Sequence, residues 1–242
     1  MSGHSKWSTI KRKKSAIDSK RGKLFTKLIK EITIAARDGG GNPDGNPRLR
    51  LAIDAAKSAN MPADNIERAI KKATGELEGV NYEEITYEGY GPGGAAILIE
   101  TVTDNKNRTV SEIRHLFTRN NGRLAESGSV NWMFDRKGII TLDKNQIGED
   151  DLMMLVLDAG ADDMISDGDY FEIQTSLENF DKVRKTLLEK NLNLESASLQ
   201  MIPQNLASVE GNDNAVVIKL LESLEDLDDV QNVYTNADII EE

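Results

Sequence analysis

Cysteine is absent from the sequence, which removes disulfides and thiolate metal sites and fits a reducing compartment. Histidine is nearly absent: His4 and His115 stand far apart and form no zinc-binding cluster. No apolar run approaches the roughly 18 residues of a membrane span. The N-terminal MSGHSKWSTIKRKK is basic but lacks the apolar stretch of a secretory signal. A cytoplasmic location is therefore expected, with no membrane partner. Catalytic patterns are missing as well. No serine sits in a G-x-S-x-G elbow, and no histidine is placed to activate one. Gly89-Tyr90-Gly91-Pro92-Gly93-Gly94 has the letters of a dinucleotide loop, but Ala95–Val102 after it reads as a strand, where pyrophosphate would need a helix N-terminus. Asp143–Gly148 opens like a calcium loop, yet Ile147 fills a ligand position and Met154 replaces the closing glutamate. The sequence thus predicts no enzyme, cofactor, metal or small-molecule substrate.

What the chain does have is charge, divided unevenly. Residues 1–75 carry 17 Lys+Arg against 7 Asp+Glu, a net of +10; the rest carry 13 against 34, a net of −21. Such a split points to a basic part that meets a polyanion. The competing explanation is internal, with the basic part docking on the acidic one. Along residues 16–37 a helical period sets Leu24, Phe25, Leu28, Ile29, Ile32 and Ala36 on one side. Lys20, Lys23, Lys27 and Lys30 fall on the other, preceded by Lys6, Lys11, Arg12, Lys13, Lys14 and accompanied by Arg21. A surface helix usually interleaves both signs; this one barely does, which suits phosphate binding by counterion release. Trp7 either stacks on an unpaired base or fills the helical core. Tyr87 and Tyr90 flank the glycine-rich connection, which either contacts RNA or only turns the chain. His115 is expected to pack.

The pattern of elements predicts an α+β chain of three domains. Residues 1–78 read as helices, interrupted at Gly39-Gly40-Gly41 and restarted by Asn46 as a cap with Pro47 behind it. From residue 79 the period changes: two strands, a helix and a strand at Val130–Phe134. Residues 136–202 then read βαββαβ, the ferredoxin-like order. The helix and strand after Pro203 cannot stand alone, and would complete the earlier β-β-α-β segment. The expected layout is therefore nested: 136–202 inserted into a sandwich domain built from 79–135 plus 203–242.

The motifs GHSKW, KRGK, FTKL, GGGNPDGNPRLR, NMPADNIERAIKKA, YEGYGPGG, TDNKNRTV and GSVNWMF together resemble the YebC family, densely up to about residue 140. The resemblance implies a helical first domain and two α/β domains, and regulation of gene expression. Bacterial members are described as DNA-binding transcriptional regulators. Mitochondrial relatives activate translation of cytochrome c oxidase, and some bacterial ones point to ribosomes and relief of stalling at proline-rich stretches. The expected function is a DNA-binding regulator. The alternative is a ribosome-associated factor on rRNA, and a third reading is a protein-interaction module with an incidental basic surface.

Overall fold

The computed structural model describes Trp7 and residues 21–239. Three helices come first: α1 (Arg21–Gly39), α2 (Pro47–Ser58) and α3 (Ala63–Ala73). One buried side chain organises the first two. The Asn46 carboxamide oxygen accepts from Leu49 N at 3.0 Å, capping α2 ahead of Pro47. Its amide nitrogen donates to Ala35 O at 2.7 Å and Gly40 O at 2.9 Å, fastening the end of α1. The core between these helices is built largely from small residues, with Ala35, Ala52, Ala56 and Ala69 around Ile32 and Leu49. Leu24 does not join it; the packed stripe starts at Phe25, and Leu24 is 48% exposed.

Two four-stranded sheets follow. The first begins with the hairpin β1 (Glu83–Tyr90) and β2 (Ala96–Thr103), antiparallel with Tyr90 opposite Ala96. Then come α4 (Lys106–Arg119), capped by Asn105, and the short β3 (Arg123–Leu124). After the second sheet, the tail adds β8 (Ala207–Ser208), α7 (Asn212–Glu225), β9 (Val230–Thr235) and β10 (Ala237–Asp238). β9 lies antiparallel to β2, giving the order β3-β1-β2-β9, while β8 and β10 form a small parallel pair. Ile97 and Ile99 of β2, Ile113 and Phe117 of α4, and Leu220 and Leu221 of α7 share one core. Gly89 is required there: an added Cβ would sit 2.5 Å from the Phe117 ring.

No strand forms at Val130–Phe134. Residues 131–133 make a single 3₁₀ turn, and the backbone enters a strand only at Phe134. The letters VNWM look like a strand, but the N–H groups of Val130 and Asn131 are taken by a buried carboxylate described below.

The second sheet comprises β4 (Phe134–Asp143), α5 (Glu149–Ala159), β5 (Asp163–Asp167), β6 (Tyr170–Thr175), α6 (Phe180–Glu189) and β7 (Leu194–Pro203). Its strand order is β5-β6-β4-β7. The chain divides into two compact units, one of residues up to Phe134 and from Pro203 onward, the other of Asp135–Ile202. The helices and the first sheet therefore share a unit.

Candidate nucleic-acid interface

The lysine face of α1 is the feature on which a phosphate-binding reading turns. Lys6, Lys11, Arg12, Lys13, Lys14 and Lys20 lie outside the described residues; for Arg21 the structure describes only the backbone. The other three lysines all reach the end of α7. Lys23 Nζ donates to Asp226 O at 2.7 Å, Lys27 Nζ to Glu225 O at 2.7 Å and Lys30 Nζ to Asp228 O at 2.9 Å. The physical reason is plain: a helix C-terminus presents unpaired carbonyls and the negative end of its dipole. Here that terminus also carries Glu225, Asp226, Asp228 and Asp229. Ile34, one turn beyond Lys30 on the same face, is fully buried. The face is a docking surface over this stretch.

Lys30 corrects the sequence reading outright. It is 5% exposed, and its ammonium lies 2.7 Å from Asp229 Oδ1 and 5.7 Å from the centre of the Tyr82 ring. No phosphate can reach it without breaking that pair. Asp229 collects further donors from the TDNKNRTV motif: Thr109 Oγ1 at 2.7 Å, Arg108 Nη2 at 2.7 Å and Thr103 Oγ1 at 3.1 Å. Its own backbone carbonyl accepts from Val102 N at 2.8 Å. Helix α1, strand β2, helix α4 and the tail thus meet at one carboxylate. Arg48 adds a second tie, reaching Glu31 of α1 at 2.7 Å and Glu84 of β1.

Burial alone would raise the Asp229 carboxyl, but its bonds to Lys30, Arg108 and Thr109 outweigh it and hold the group down at about 2. A carboxyl depressed below its unfolded value of about 3.9 contributes stability that is full above that value and lost as pH falls toward about 2. We expect the urea midpoint of the wild type to drop over this window, and Asp229→Asn to lack that part of the drop. Parallel pH curves for the two proteins would show that Asp229 carries no native-state charge.

Trp7 is also placed against expectation. It is 4% exposed and belongs to the core of the first sheet, with Ile97, Phe117 and Leu220, rather than to the core of the helices. It cannot stack on a base from there. Tyr87 and Tyr90 are half-buried residues of β1, not of a loop, because the strand runs on to Tyr90 and only Gly91–Ala95 turn the chain. Tyr87 packs against the sheet core, and Tyr90 donates to Ser129 O at 3.0 Å. His115, expected to pack, is exposed on α4.

Between the two tyrosines, Glu88 is 4% exposed and accepts from Gly128 N at 2.7 Å, Val130 N at 2.6 Å and Asn131 N at 2.9 Å. Burial pushes its carboxyl up, and these backbone donors more than reverse the shift, leaving it below its ordinary value. YEGYGPGG and GSVNWMF are therefore two halves of one construction, whose outermost side chain is Trp132, 65% exposed. Sequence reasoning missed Asp229, Glu88 and Trp132. Ile34 was the available signal for the first, an apolar residue closing a supposedly solvated face. Among the described residues, no group of acids and histidines is arranged to hold a metal ion, and no helix is long and apolar enough to cross a membrane.

The chain is similar to known proteins over most of its length. Residues 5–76 match the family model described as the TACO1/YebC protein N-terminal domain, and residues 82–237 the one described as TACO1/YebC second and third domain. A "Probable transcriptional regulatory protein" of Chlorobaculum parvum is 60% identical over 242 residues, covering 100% of this chain and 96% of that protein. One of the same name from Desulfosudis oleivorans is 58% identical, covering 99% and 97%. The crystal structure of a conserved hypothetical protein from Aquifex aeolicus superposes with a TM-score of 0.86 at 46% identity, over 93% of each chain. None of these descriptions carries a catalytic activity. With both family models together spanning nearly its whole length, and with such relatives, the chain belongs to the TACO1/YebC family.

Proposed function

We propose that this protein is a non-enzymatic regulator of gene expression that grips nucleic acid, DNA foremost, through the basic segment leading into α1. The observation that carries the reading is charge: residues 1–23 hold eight Lys+Arg against one acid, Asp18. The lysines further along α1 are engaged with α7, so the contacts fall to Lys6, Lys11, Arg12, Lys13, Lys14, Lys20 and Arg21. Lys23, with its side chain 42% exposed, stands at the border. The relatives' name supports transcription as the process. The strand order β5-β6-β4-β7 supports a ferredoxin-like second unit inserted into the first.

A ribosomal target is the second reading, favoured by Arg48. Held by Glu31 and Glu84, it is not free to read base edges from α2. Binding by backbone and shape suits structured RNA as well as duplex DNA. One measurement tests both. Changing Lys11, Arg12, Lys13 and Lys14 together to Gln should flatten the log–log salt dependence of duplex binding by between about three and four units, at about 0.9 per phosphate contact. The same variant assayed on ribosomes identifies the partner as the one that suffers the greater loss at physiological salt. An unchanged slope on both, with the unfolding midpoint intact, would remove nucleic acid from the account.

A further inference from the structure

Trp132 stands out because the fold goes to some trouble to present it. A large aromatic that is 65% exposed is usually a mobile side chain on a loose loop; this one is fixed at both ends. Behind it, the buried Glu88 carboxylate takes the N–H groups of Val130 and Asn131. In front, the indole Nε1 donates to Ser129 O at 3.1 Å, the same carbonyl that accepts from Tyr90 at 3.0 Å. The Tyr90 ring in turn carries the Arg123 guanidinium 5.2 Å from its centre. An exposed indole and a half-buried ring that carries a cation thus donate to one carbonyl.

The chemistry of the arrangement narrows what it takes. With its N–H spent internally, the indole offers a flat face and no donor, so it selects for a planar partner and not for a particular hydrogen-bonding edge. The stretch of chain that leads to it runs against the acidity of the whole: residues 106–132 carry five Lys+Arg against two acids. Of these cations, Arg114, Arg119 and Arg123 are exposed and form no ion pair among the described residues. A face for stacking, with the exposed Arg123 guanidinium held on the neighbouring Tyr90 ring, is what a single-stranded nucleic acid requires, a platform for a base with a cation for its phosphate. A duplex keeps its bases stacked on one another and has none to offer.

We infer that Trp132, backed by Tyr90 and Arg123, is a stacking site for an unpaired base of single-stranded or looped nucleic acid, separate from the basic N-terminal segment. The inference rests on the nucleic-acid reading above but concerns a different surface and a different form of the polymer. In the full-length protein, Trp132→Ala should weaken binding of a short oligouridylate by about tenfold, within the range for loss of one base–aromatic stack. Trp132→Phe should retain most of the affinity. Binding of a mixed-sequence duplex and its salt slope should not move in either variant. The wild-type tryptophan emission should be quenched by the oligouridylate, and the Trp132→Ala protein, left with buried Trp7, should not respond. The inference is overturned if Trp132→Ala binds the single strand as the wild type does, or loses single strand and duplex equally. It is also overturned if the substitution changes only the sedimentation of the protein, which would make Trp132 a contact between copies. A wild type that binds neither polymer would defeat the proposed function too; duplex binding beside single-strand binding indifferent to Trp132 would defeat this inference alone.

Discussion

Asp229→Ala is expected to destabilise the first unit by roughly 3–5 kcal/mol, the usual result of stripping one partner from a buried ion pair. The substitution leaves the Lys30 ammonium buried, with only Asp228 O and the Tyr82 ring nearby. It also removes the shared acceptor of Thr103 and Thr109. Adding Lys30→Met should restore part of the loss, because the pair's desolvation cost then disappears along with its attraction. The chain supplies its own probe: both tryptophans, Trp7 and Trp132, belong to the first unit, so urea unfolding followed by their fluorescence reports that unit alone. A loss below about 1 kcal/mol, the size seen for exposed pairs, would mean that the Lys30 head reaches water and that α1 is held by other contacts.

Trp7→Ala should be comparably severe, roughly 3–5 kcal/mol for a large aromatic deleted from a packed core. Trp7→Phe should cost much less, since most of the buried apolar area is kept. Circular dichroism across a thermal ramp checks this, as the substitution removes one of the two fluorophores. The comparison also decides between the two roles the sequence allows for this residue. A core residue moves the melting temperature and leaves the affinity of the folded protein for nucleic acid alone. A base-stacking residue does the reverse, and an unshifted melt with weakened binding would return Trp7 to the interface.

Local rules were legible in the sequence, and remote ones were not. Asn46 followed by Pro47 announces a helix start, and the start is there, because a cap is satisfied within a few residues of itself. The aromatic and β-branched letters of Tyr170–Thr175 and Val230–Thr235 likewise yield strands, since that preference is written in consecutive letters. A helical wheel does assign Lys23, Lys27 and Lys30 to one side of α1. It says nothing of what that side meets, and the acceptors lie about two hundred residues away in a run that reads as solvated acid. The misread strand at Val130–Phe134 has the same cause: Glu88, some forty residues earlier, captures the donors a ladder would have used. Of the candidate interface, the sequence exposed the charge asymmetry and concealed which cations are already spent.

The pairing of β2 with β9 bears on how the protein is made. A ribosome releases β2 long before β9, with the whole of residues 135–202 emerging between them. Contacts of such separation close slowly, because the intervening chain must surrender its freedom before any pairing rewards it. The intervening unit has its own sheet and can form while synthesis continues, drawing the two ends of the gap together. Until Asp229 arrives, however, Lys30 has no carboxylate, the end of α7 does not yet exist for Lys23 and Lys27, and Trp7 lacks half of its core. The nascent protein therefore spends most of its synthesis with Lys23, Lys27 and Lys30 of its first helix unsatisfied, and their internal partners arrive only with the acidic tail.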